Sequence, residues 1–147
     1  MPVVEVTEWI DSDPDQVYAK ISRMEDFPAI MANVQSVTIK ETGEGYTLSE
    51  WVAKLQGARF RWVERDEFFP EHRRITFRQT EGDLKVFQGE WRVVSDGQRS
   101  QVTFVTEFEF GMPMLSNLLN PVARYALRQN ARSMVQGIQQ ALAADRG

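Results

Sequence analysis

From about Ile39 to Phe110 the chain alternates apolar and polar residues every two positions, and after Met112-Pro113 the period becomes that of a helix. A period of two belongs to half-buried strands and a period of 3.6 to an amphipathic helix. The switch therefore predicts a run of antiparallel hairpins followed by one long helix. A curved antiparallel sheet and an apolar-striped helix bury each other when the sheet wraps the helix. The space between them, lined by aromatic residues, is where a function is expected.

The remaining elements follow from local signals. Pro2 to Ile10 sets Val4 and Val6 against Glu5 and Thr7 and reads as a strand. Asp13-Pro14-Asp15-Gln16 reads as a helix start, with Asp13 as cap, Pro14 in the first helical position and Gln16 where a capping box wants it. Val17, Tyr18 and Ile21 make its apolar side. Asp26-Phe27-Pro28 opens a second short helix through Asn33, with Ile30 and Met31 inside. Turn signals follow at Thr42-Gly43-Glu44-Gly45, Leu55-Gln56-Gly57, Phe69-Pro70-Glu71-His72, Glu81-Gly82-Asp83 and Ser95-Asp96-Gly97. The expected fold is thus α+β: a curved antiparallel sheet of about seven strands around a long C-terminal helix, with two short helices after the first strand, in one domain over 1–147. In the last segment Leu115, Leu118, Leu119, Val122, Ala126, Leu127, Ala131, Met134, Ile138 and Leu142 recur at helical steps from about Met114 to Ala143. Asn120-Pro121 interrupts a pattern that stays in phase, which predicts a kink in one helix rather than two helices.

Composition removes several kinds of chemistry. A net charge of −4 argues against nucleic acid or an anionic membrane as partner. With no cysteine there is no disulfide, iron–sulfur cluster or thiolate zinc site. His72 is the only histidine and falls at a hairpin tip, where it reads as an exposed turn residue. No metal or cofactor is expected. No stretch approaches the ~20 apolar residues of a membrane span, and the first residues show no basic-then-apolar leader pattern, so a soluble cytoplasmic protein is expected.

Two features bear on a site. Asn130 interrupts the apolar stripe of the last helix and must find polar partners, either on a ligand or in the core. In the strand from Ala58 to Phe68, one face carries Phe60, Trp62 and Glu64 and the other Arg59, Arg61, Val63 and Arg65; the next strand sets Ile75, Phe77 and Gln79 against Arg74, Thr76 and Arg78. Bulk hydrophobicity turns the aromatic set inward. The opposite register would line the cavity with arginines beside aromatics, which suits an apolar ligand with anionic or carbonyl oxygens. Later strands present Phe87, Gly89, Trp91 and Val93, then Val102, Phe104, Thr106, Phe108 and Phe110, on single faces. Glu107 and Glu109 alternate with the last set and read as solvated.

Phe27-Pro28, Gly82, Gly89-Glu90-Trp91-Arg92 and Arg128-Gln129-Asn130, together with the order of elements, resemble the helix-grip fold of the START-like (SRPBCC) superfamily. Within it they resemble the branch of polyketide aromatase/cyclases and coenzyme Q-binding proteins. The likeness runs from the first strand to the end of the helix. It implies a ligand pocket between sheet and helix. With no gaps through the middle strands, Arg65 and Arg78 fall on pocket arginines, Phe87, Trp91 and Phe104 on pocket aromatics or their apolar equivalents, and Asn130 on a pocket asparagine. The resemblance thereby favours the inward-arginine register, with Phe27, Met31, Val63, Thr106 and Leu127 also lining. That register leaves Trp62 and Phe77 outward and implies a homodimer or partner surface. One departure stands out: where the aromatases carry a tyrosine linked to proton transfer, this chain has Val34. An arginine stays protonated and cannot replace it as base, and no Tyr, His, Asp or Glu on the inferred inner face takes its place. The first expectation is therefore binding of a hydrophobic small molecule such as a lipid, a quinone or a polyketide-like aromatic. The alternative is a polyketide aromatase/cyclase in which Arg65, Arg78 and Asn130 hold carbonyl oxygens during aldol cyclisation and dehydration.

Overall fold

The computed structural model describes residues 3–55, 58–97, 99–110 and 113–146, without the side chains of 55, 58, 110, 113–124, 126, 127, 145 and 146. Strand β1 (Val3–Ile10) is followed by helix α1 (Pro14–Ser22), a single 3-10 turn and helix α2 (Phe27–Ile30). Strands β2 (Val34–Gly43), β3 (Tyr46–Leu55), β4 (Ala58–Phe69), β5 (Arg74–Gly82), β6 (Leu84–Asp96) and β7 (Arg99–Phe110) come next, and helix α3 (Pro113–Arg146) last. All neighbouring strands are antiparallel, in one sheet of seven ordered β1-β7-β6-β5-β4-β3-β2. The sequential hairpins account for this order, and β1 returns to pair with β7. The turn expected at Gln56-Gly57 lies outside the described residues.

Local chemistry sets the boundaries. Asp13 caps α1, its Oδ2 accepting from the Asp15 N–H at 3.1 Å, and Pro14 occupies the first turn. The second helix ends at Ile30, shorter than the expected Asn33, because Met31 is already extended. His72 sits exposed in the 3-10 turn between β4 and β5. Helix α3 continues unbroken through Asn120-Pro121, so the segment is one helix. The side chains of Leu115, Leu118, Leu119, Val122, Ala126 and Leu127 lie outside the described residues.

Over its second half α3 buries Ala131, Val135, Ile138 and Leu142 against the concave side. Gly137 lets it approach α2: a Cβ there would stand 2.1 Å from the Ile30 carbonyl oxygen. Met31 packs at this crossing, its Cγ 3.5 Å from the same point. No helix of the described residues is long and apolar enough to cross a membrane.

Candidate functional site

Between the concave face and α3 lies a cavity of about 80 Å³. Its wall comes from every strand from β2 to β7: Val34, Trp51, Phe60, Trp62, Glu64, Phe77, Phe87, Trp91, Phe104, Thr106 and Phe108, with Asn130, Ala131 and Met134 from α3. The alternation of each strand explains this, since every second side chain of a curved strand meets the helix. The exposed Lys54 and the half-buried Phe60, Leu84 and Met134 also belong to the lining and mark the side nearest solvent.

Seven aromatic rings form a closed circuit around the space. Trp51 stacks on Trp62 at 5.7 Å, Trp62 meets Phe87 edge-on at 5.1 Å, and Phe87 tilts against Phe77 at 5.4 Å. Phe77 stacks on Phe104 at 5.6 Å, which tilts against Trp91 at 4.5 Å. Phe27 of α2 closes the circuit, 6.2 Å from Trp91 and 5.7 Å from Trp51. Contacts of these types contribute about 0.5–1.5 kcal/mol each beyond burial, so the wall is an ordered surface of ring faces and edges.

Among the polar side chains of the wall, which include Thr106 and Asn130, Glu64 supplies a carboxyl, with Asp66 beside it. Glu64 is 3% exposed and Asp66, two residues on along the same face of β4, is 0% exposed. The Trp62 Nε1–H donates to Glu64 Oε1 at 2.7 Å. The Trp51 Nε1–H donates to Ser49 Oγ at 2.8 Å, and Ser49 in turn donates to Asp66 Oδ2 at 2.6 Å, with Thr47 donating to the same oxygen at 3.2 Å. The two carboxyls thus orient both indoles of the stacked pair. Burial pushes Glu64 well above the usual carboxylate range, and the neighbouring Asp66 charge adds to it. Burial also raises Asp66, while its hydrogen bonds with Glu64, Ser49 and Thr47 oppose the rise. Asp66 Oδ1 and, opposite Glu64 across the β4–β5 ladder, Gln79 Oε1 are buried with no partner among the described residues. Such acceptors favour a proton on Glu64. At the α3 side, the Asn130 Nδ2–H donates to the Lys54 carbonyl at 3.2 Å, and Asn33 Oδ1 is buried without a partner among the described residues.

This geometry corrects the register drawn from the resemblance. Arg65 and Arg78 do not line the cavity. On the outer face, Arg65 pairs with Glu67 at 3.3 Å and lies over the Tyr46 ring at 3.9 Å, Arg61 pairs with Glu50, and Arg78 is exposed. Trp62 and Phe77 point inward instead, which removes the outward aromatic face that implied a homodimer. The reason is the cost of the alternative: it would bury guanidinium groups and expose Phe60, Trp62 and Phe77. Val63 is buried but alternates to the arginine side and does not line the cavity. Phe27 and Met31 are buried behind the wall rather than in it, Phe27 as part of the ring circuit. The structure does bring together Phe87, Trp91, Phe104, Thr106 and Asn130, and Val34, the point of departure from the aromatases, is in the same wall. The side chain of Leu127 is outside the described residues. The sequence reading missed Glu64 and Asp66 as site residues. Their signal was present: two acids sharing a face with Phe60 and Trp62.

Comparison with known proteins agrees with the architecture. Residues 10–135 match the family described as polyketide cyclase / dehydrase and lipid transport. The bifunctional cyclase/dehydratase of the actinorhodin polyketide synthase of Streptomyces coelicolor is 28% identical over 111 residues, 71% of this chain and 35% of that protein. The chain thus spans about a third of the length of this curated relative. Among solved structures, a protein of Thermus thermophilus is similar with a TM-score of 0.94 and 25% identity, over 99% of this chain and 100% of the other. The Zhui aromatase/cyclase of Streptomyces sp. R1128 is similar at 0.85 and 20% identity, over 95% and 92%. A START superfamily protein of Mycobacterium smegmatis is similar at 0.84 and 12%, over 97% of each.

Proposed function

The chain belongs to the polyketide cyclase/dehydrase and lipid transport family, and from that premise we propose that it binds a flat hydrophobic small molecule, a lipid, quinone or polyketide-like aromatic, between sheet and α3. The observation that carries this reading is the closed circuit of ring faces around one cavity. The cavity's 80 Å³ falls short of the roughly 300 Å³ and above of small-molecule sites. A ring-bearing ligand therefore enters by moving part of the wall. The half-buried Phe60, Leu84 and Met134 are the side chains placed to give way, and the unbranched Met134 does so at least cost.

The test is direct. The purified protein is extracted into organic solvent and the extract analysed by mass spectrometry. The protein is then titrated with a naphthalene-sized neutral probe while the fluorescence of wall residues Trp51, Trp62 and Trp91 is followed. A co-purifying hydrophobic compound, or saturable quenching at micromolar probe, is expected. An empty extract with no quenching up to millimolar probe removes the reading.

Glu64 supports a second reading, a cyclase/dehydratase. A carboxyl that keeps its proton in the wall can protonate a leaving hydroxyl, the step a dehydration requires and arginine cannot supply. Dehydration of a β-hydroxy ketone by the parent, lost in Glu64→Gln with folding intact, would move the assignment to the enzyme.

A further inference from the structure

We propose that Glu64, backed by Asp66, is the oxygen-recognition group of the cavity: it donates a hydrogen bond to a carbonyl oxygen on an uncharged ring compound and turns carboxylates away. This rests on the binding reading above and names the class of molecule bound.

Polar and aromatic side chains face Glu64. On its own strand stands Asp66, across the ladders Ser49 on β3 and Gln79 on β5, and around the space Trp62, Phe77 and Phe87. Among the described residues the lining holds one cationic side chain, Lys54, and it is exposed. No ion pair is formed by Glu64 or Asp66 among the described residues. An anionic ligand would meet a buried carboxyl pair at low dielectric with no counter-charge beside it among the described residues. A ketone or quinone oxygen needs only a donor, and Glu64 is a side chain of the wall held near-fully buried with its proton retained by burial. The Trp62 N–H occupies Oε1, so the proton resides on Oε2, which it shares with Asp66, and a ligand carbonyl takes that hydrogen bond in place of Asp66. Asp66, fixed by Ser49 and Thr47, acts through Glu64 as a positioning residue whose charge keeps that proton in place.

The test compares three probes of one shape by isothermal titration between pH 6 and 9: 2-acetylnaphthalene, 2-ethylnaphthalene and 2-naphthoate. The ketone is expected to bind about tenfold more tightly than the hydrocarbon at pH 6, the scale of one hydrogen bond, and the carboxylate more weakly than the hydrocarbon. The ketone's advantage should fall on the alkaline side as Glu64 ionises, and Asp66→Asn should move that fall to lower pH. Glu64→Gln, which still donates, should keep the advantage with a flat pH profile. Glu64→Leu should lose it, the ketone falling to the affinity of the hydrocarbon measured on the same variant. A carboxylate bound as tightly as the ketone, or an unchanged ketone-to-hydrocarbon ratio in Glu64→Leu, overturns the proposal. If the parent binds none of the probes, the binding reading itself falls. If it binds the hydrocarbon with no preference for the ketone, only the present proposal does.

Discussion

The two faces of β4 handle charge in opposite ways. Outward, Arg61 and Arg65 are matched one to one with Glu50 and Glu67, and all four keep some access to water. Inward, Glu64 and Asp66 have no cation among the described residues and hydrogen-bond to indoles and hydroxyls instead. Exposed pairs of the first kind are screened and contribute roughly 0–1 kcal/mol. Buried acids of the second kind destabilise the fold unless they stay protonated or fully bonded. The inner arrangement is costly and lies among aromatic rings, whereas the outer pairs are screened by water and contribute little.

The comparison breaks most readily at Trp62. Its ring stacks on Trp51, meets Phe87 edge-on and donates to Glu64, so Trp62→Ala removes a large buried side chain and leaves a carboxyl oxygen without its donor. A loss of about 3–5 kcal/mol in urea unfolding is expected. Arg61→Ala, its neighbour on the other face, should cost less than about 1 kcal/mol. Equal losses would mean that the two faces are not energetically distinct.

A smaller effect, of definite sign, comes from Glu64 and pH. Because its folded-state pKa is raised, the unfolded chain releases this proton before the native protein does. Stability is therefore complete below the ordinary carboxylate range and falls as pH rises toward the raised value, by up to about 1.4 kcal/mol per pH unit for one proton. Asp66, also raised, acts in the same direction. Glu64→Gln keeps an acceptor for Trp62 and cannot ionise. It should flatten this dependence and stabilise the protein at pH 8 by about 1–3 kcal/mol, measured by thermal melts from pH 5 to 8. A parent whose melting temperature rises over that range, or a variant with the parent's slope, would show that Glu64 is charged in the native state.

The sheet and helix were legible because periodicity is a property of each segment alone: the step from two to 3.6 near Pro113 needs no tertiary information. The faces of β4 and β5 were legible for the same reason, since Phe60, Trp62 and Phe77 outweigh any competing set. The inward-arginine register came instead from matching motifs without gaps. In antiparallel pairing a one-residue slip turns every side chain to the other face, and β5 carries one extra residue, Thr80, where Val63 pairs with Glu81 and Glu64 with Gln79. Short motifs cannot report it. The carboxyl pair escaped notice because an isolated Glu in a strand reads as solvated, and only the register that brings Ser49 and Trp51 beside it shows how it is accommodated inside. Cavity size lies beyond pattern altogether, because it depends on how closely the rings of six elements interlock.

The smallest expected effect is the sharpest separation of the two registers. Arg65→Ala removes an ion pair with Glu67 and a guanidinium over Tyr46, and Arg78→Ala removes an exposed side chain. Neither touches the cavity wall. Affinity for a neutral naphthyl ketone should therefore stay within about twofold of the parent in both variants, and stability within about 1 kcal/mol. Had these arginines faced the ligand, each replacement would weaken binding by about 1–3 kcal/mol, the scale of a charge-assisted hydrogen bond. Isothermal titration resolves that difference easily. A tenfold loss in either variant with the fold intact would return the arginines to the site and transfer the role of Glu64 to them.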